Sequence, residues 1–85
     1  MAFVVHLAHR AEKGLRGIPA GDRERIFAAL EEMEIDPLAG DIVKFKGMDA
    51  MRRRVGSYRI IFSIDADEGT VQVMDILRRS TTTYR

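Results

Sequence analysis

Arg52-Arg53-Arg54-Val55-Gly56-Ser57-Tyr58-Arg59-Ile60-Ile61-Phe62-Ser63-Ile64 is the stretch that decides the fold. Side chains of an extended strand alternate between its two faces. Over residues 58–64 one face carries Tyr58, Ile60, Phe62 and Ile64, all aromatic or aliphatic, and the other carries Arg59, Ile61 and Ser63. That pattern predicts a strand buried on one face only. Gly56-Ser57 is a two-residue turn signal, so residues 52–55 are predicted to pair antiparallel with it. Val55 belongs on the core side and takes Arg53 with it. Arg52 and Arg54 are then expected beside Arg59 on the open side.

Downstream, residues 71–77 read as a third strand beyond the polar loop Asp65-Ala66-Asp67-Glu68-Gly69. Strict alternation puts Val71, Val73, Asp75, Leu77 and Arg79 on one face, and Gln72, Met74, Ile76 and Arg78 on the other. It leaves open which arginine reaches the uncovered side. Upstream, residues 3–7 (FVVHL) form a short β-branched run that suits a strand. In residues 8–18 the spacing of Ala11, Leu15 and Ile18 predicts a short helix, ended by Gly17-Ile18-Pro19. A second helix is expected from Gly21-Asp22, with Asp22 as its N-cap, to Ile35. Ile26, Phe27, Leu30, Met33 and Ile35 form its apolar side, and Pro37 stops it. Residues 41–47 read as short and extended. The expected architecture is α+β: an N-terminal strand, a helical hairpin, then a three-stranded antiparallel meander with the helices on one sheet face. The 85 residues make one domain.

The net charge of +1 hides an asymmetry. Residues 1–43 hold five basic and eight acidic side chains, whereas residues 44–85 hold nine basic and five acidic. Arginines gathered on one open sheet face repel one another unless a polyanion supplies the missing charge, and the planar guanidinium fork fits phosphate oxygens. No cysteine is present, which suits a reducing cytosol. No apolar run approaches the length of a membrane span. A cytoplasmic protein with no membrane partner is therefore expected.

From Lys44 onward the sequence resembles toxins of the RelE/ParE superfamily, from bacterial type II toxin–antitoxin pairs. The resemblance is carried by Lys44-Phe45-Lys46-Gly47, by the alternating arginines before Gly56-Ser57-Tyr58-Arg59-Ile60-Ile61-Phe62, by residues 71–79 (VQVMDILRR) and by Tyr84. It implies a single toxin domain over residues 1–85 and a cognate antitoxin partner in a toxin–antitoxin hetero-oligomer. RelE-like members bind the ribosome and cut mRNA there, inhibiting translation. The RNA 2′-hydroxyl attacks the adjacent phosphate, with no metal or other cofactor. On that reading the resemblance implies catalytic roles for Arg54, Arg59, Arg79 and Tyr84. Lys44, Lys46, Arg52 and Arg78 become RNA-binding. ParE-like members share the fold but bind and poison DNA gyrase without catalysis. RelE has lysines where this chain has Arg52 and Arg54, and arginine is a poor proton acceptor. Both activities therefore stay open.

Several groups are read more plainly. His6 and His9 have no third ligand near in sequence and are expected to be ordinary histidines rather than a metal pair. Glu31, Glu32 and Glu34 are expected on a solvated helix face. Met33, Met48, Met51 and Met74 are expected to pack, with Met48 and Met51 as alternative contacts for an antitoxin helix. Glycine-rich phosphate loops, nucleophile elbows and zinc motifs are absent from the sequence.

Overall fold

The computed structural model describes residues 2–78. In chain order it contains β1 (Val4–Leu7), α1 (His9–Arg16), α2 (Ala20–Ile35), β2 (Asp41–Lys44), β3 (Met51–Val55), β4 (Tyr58–Asp65) and β5 (Thr70–Arg78). The strands form one sheet in the order β1-β5-β4-β3-β2. Strands β3, β4 and β5 are the expected antiparallel meander. Two short strands extend it: β2 pairs antiparallel with β3, and β1 pairs parallel with β5.

The β3–β4 connection is as tight as the sequence predicts. Gly56 has φ +58 and Ser57 does not have a positive φ, the pattern of a type II′ turn with glycine at its first central position. That turn fixes the register, with Val55 opposite Tyr58 and Arg54 opposite Arg59.

The core lies between one face of this sheet and the helices. Tyr58, Ile60 and Phe62 of β4 are buried, with Val71, Val73 and Ile76 of β5 beside them. Helix α1 lies over β5 and contributes Ala11 and Leu15, with Ile18 just beyond its end. Gly14 faces β5 so closely that a Cβ there would stand 2.6 Å from the Ile76 carbonyl oxygen. A glycine that weakens α1 locally is what lets the helix approach the sheet.

Helix α2 contributes Ile26, Ala29, Leu30 and Met33, a stripe at the i, i+3, i+4, i+7 spacing. Phe27 and Ile35, expected on that stripe, are 46% and 78% exposed. Each residue turns the helix by about 100°, so Phe27 points away from the direction of Ile26, and Ala29 takes the inward position. Asp22 is not the N-cap. The helix starts at Ala20 with Pro19 as N-cap, extended at ψ 148, and the Pro19 carbonyl accepts the first helical bond from the Arg23 amide. Asp22 sits in the first turn, where its charge favours the positive end of the helix dipole. Asp36, extended at φ −145 and ψ 97, ends the helix before Pro37 as the residue preceding a proline should.

Strand β5 departs from strict alternation. Ile61 pairs with Asp75, but Phe62 pairs with Val73, so Met74 is an extra residue in β5. This bulge changes which face each later residue takes. Val71 and Val73 are buried before it, and Ile76 is buried after it. Asp75 and Leu77 consequently leave the face of Val71 and Val73 and share the uncovered one.

Candidate functional site

The uncovered side of the sheet can be built row by row from the pairings. One row across the strands reads Asp41, Arg54, Arg59, Leu77, and the next reads Val43, Arg52, Ile61, Asp75. Arg54 and Arg59 are direct cross-strand neighbours, a placement that brings Cβ atoms to about 4.5–5.5 Å. Arg52 stands two residues along β3 from Arg54 on the same face. The face is therefore three arginines set among Val43, Ile61 and Leu77. These apolar neighbours let long side chains lie flat along the sheet while their charged ends remain in water.

Charge on this face is only partly compensated. Arg54 faces Asp41 across β2–β3 with Nε 3.5 Å from Oδ2, both side chains well exposed. Asp75 is engaged from outside the sheet, its Oδ2 lying 3.8 Å from Nη1 of Arg10 in α1. Among the described residues neither Arg52 nor Arg59 has a salt-bridge partner. The Asp41 pair was hidden from the sequence because it depends on β2 joining the sheet.

Arg53 has the opposite fate. It is 7% exposed, on the covered side. Its Nη1 donates to the Ala29 carbonyl at 3.3 Å and its Nη2 donates to the Glu32 carboxylate, both on α2. Glu32, expected to be merely solvated, thus holds the inward arginine, because β3 passes beneath that turn of α2.

The remaining sequence-designated residues are dispersed. Lys44 pairs with Met51, which places it on the helix side of the β2 edge, and it is exposed. Lys46 is exposed in the β2–β3 loop. Arg78 pairs with Tyr58 and so falls on the covered side at the end of β5. Arg79 and Tyr84 lie outside the described residues. Among the described residues no group of three or more His, Cys, Asp or Glu is placed to hold a metal ion, and no helix is long and apolar enough to cross a membrane.

The face is open, and its arginines are spread over two strands. Comparison with known families places the chain as a whole. The sequence profile described as "ParE toxin of type II toxin-antitoxin system, parDE" matches residues 5–82. The chain belongs to the RelE/ParE superfamily of toxins. Among solved structures, the RelB–RelE antitoxin–toxin complex from Methanococcus jannaschii contains a chain 32% identical, with a TM-score of 0.72, covering 86% of this chain and 88% of that one. The archaeal RelE–RelB complex from Pyrococcus horikoshii superposes at TM-score 0.86 with 23% identity, covering 96% of this chain and 100% of that one. The isolated RelE toxin of E. coli gives TM-score 0.82 at 21% identity, over 95% of this chain and 88% of that one. The last two likenesses bear on the fold alone. No curated protein matches the chain. This RelE/ParE chain is the toxin component of a type II toxin–antitoxin system.

Proposed function

We propose that this toxin is a RelE-like endoribonuclease that acts on mRNA at the ribosome and so inhibits translation. The observation that carries the reading is the cross-strand pair Arg54–Arg59 with Arg52 beside it, on the uncovered sheet face. Cleavage by 2′-hydroxyl attack spreads negative charge over the phosphate oxygens, and guanidiniums fixed on neighbouring strands stabilise that charge without reorganising. Arg59 is the central phosphate contact and Arg54 assists it. Arg79 and Tyr84 complete the catalytic set by their correspondence with the family. Arg52, Lys44, Lys46 and Arg78 supply the wider attraction for RNA, which is electrostatic and salt-sensitive.

The partner that holds the toxin in check is a RelB-like antitoxin, as in the toxin–antitoxin complexes among the structural neighbours. An acidic segment that folds on binding suits a face of partly exposed arginines and aliphatic side chains. A second reading, a ParE-like inhibitor of DNA gyrase, is favoured by one specific finding: the matching family profile is that of ParE.

Induced expression followed by transcript end-mapping, run beside a gyrase supercoiling assay, separates the two. The nuclease reading expects new mRNA ends with normal supercoiling. Intact mRNA with impaired supercoiling sinks it and establishes the gyrase reading instead.

A further inference from the structure

The proposed cleavage needs a group to accept the 2′-hydroxyl proton, and an arginine, always protonated, does not serve. Among the described residues three carboxylates pair into the uncovered face: Asp41, Asp65 and Asp75. Asp41 is on the edge strand and is engaged by Arg54. Asp65 is at the far end of β4, and its Oδ1 accepts the Glu68 amide in the turn. Asp75 alone is on a central strand beside the arginines, directly opposite Ile61. It is also the diagonal neighbour of Arg59, because Arg59 pairs with Leu77 two residues on. Diagonal neighbours lie about 7–8 Å apart, within reach of a long side chain.

The backbone irregularity puts Asp75 there. Without the extra residue Met74, Asp75 would follow Val71 and Val73 under the helices. Bulges beside functional sites characteristically re-aim one side chain. Two contacts then hold the redirected carboxylate. Its Oδ1 accepts the Ile76 amide at 2.9 Å, and its Oδ2 faces Arg10 at 3.8 Å, with the side chain 18% exposed. We propose that Asp75, turned onto the arginine face by the β5 bulge, is the general base of the cleavage reaction, a role that rests on the endoribonuclease reading.

In the step, the Asp75 carboxylate takes the 2′-hydroxyl proton as the 2′-oxygen bonds to phosphorus. The bond from phosphorus to the 5′-oxygen breaks, and that oxygen takes a proton from water. The products are a 2′,3′-cyclic phosphate and a 5′-hydroxyl, and Asp75 returns its proton to solvent. Among the described residues the charged groups around Asp75 are Arg10 from α1, Arg59 from β4 and, one strand further, Arg52 from β3.

The test compares Asp75→Asn, which retains an acceptor for the Ile76 amide, with Arg10→Gln, which removes the ion pair but keeps the carboxylate. Cleavage of ribosome-bound mRNA, binding to programmed ribosomes and thermal melting are measured for each. Asp75→Asn is expected to slow cleavage by about 10²–10⁴-fold with binding unchanged. Its rate should rise about tenfold per pH unit as hydroxide replaces the missing base, while the wild type is flatter. Arg10→Gln is expected to slow cleavage only by about threefold, since it loosens the carboxylate through a largely exposed ion pair without removing it. If Asp75→Asn does not fold, Asp75→Glu replaces it and must slow cleavage with binding kept. An Asp75→Asn enzyme as fast as wild type overturns the proposal. So does an equal loss in both variants accompanied by lower melting, which makes the residue an anchor for α1. A wild-type protein that cuts no mRNA but impairs gyrase removes the nuclease reading itself, and this inference with it.

Discussion

Arg52, Arg53 and Arg54 are consecutive in β3 and chemically identical, yet the middle one differs from its neighbours in burial and in the element it touches. Arg53 is buried against α2, with an ion partner in Glu32 and a carbonyl acceptor in Ala29. Arg52 and Arg54 stand on the bare face of the same strand, Arg54 with its side chain 46% exposed. A strand sorts charge by parity, and here parity separates an arginine that ties β3 to α2 from arginines on the uncovered face. The same contrast runs through β4, where Phe62 is sealed in the core and Ile61, one residue earlier, lies among the arginines.

The sharpest way to break this comparison is to truncate across the covered face. Phe62→Ala should lower stability by about 3–5 kcal/mol, a large part of what a small domain has, as read by urea denaturation. Ile61→Thr should cost about 1 kcal/mol or less. Comparable losses would mean that both faces of the sheet are covered. Next in size, Arg59→Gln should reduce mRNA cleavage and growth arrest by about 10²–10³-fold with melting unchanged, as when one fixed donor to a transition-state oxygen is lost. Retained toxicity would remove the open face from the mechanism.

A pair of substitutions then sharpens the parity argument itself. Arg53→Met should destabilise by about 1–3 kcal/mol, since the Glu32 ion pair and the guanidinium's added hydrogen bond to the Ala29 carbonyl are both lost. Arg52→Met should stay within about 0.5 kcal/mol. Toxicity should respond in the opposite order once stability is matched. The smallest effect concerns salt. For RNA binding, Arg52→Gln should reduce the slope of log affinity against log salt by about 0.7, one phosphate contact on a single strand. An unchanged slope would place Arg52 outside the RNA path.

Much of the meander was legible in residues 52–64, because alternation is local: chain stereochemistry sends successive side chains to opposite faces whatever the rest of the protein does. Burial of Tyr58, Ile60 and Phe62 and the side-by-side placement of Arg54 and Arg59 follow from that and from one tight turn. Residues 71–78 were harder. Val71, Val73, Ile76 and Leu77 offer apolar groups to both faces, so hydrophobicity alone does not say where alternation breaks. Phe27 was misplaced for a related reason, since a helix rich in alanine lets either Phe27 or Ala29 take the inward position.

The sequence by itself determined the α+β class, the hairpin register and the parity that divides the three arginines of β3. Tertiary structure decided the bulge at Met74, the turn of Asp75 toward the arginines, the enlistment of Asp41 and Glu32 as ion partners, and the close seating of Gly14 on β5. The reason is one of range. Alternation and turn geometry arise between neighbours in the chain, whereas a bulge or an ion pair forms only when distant segments meet and their packing selects one arrangement.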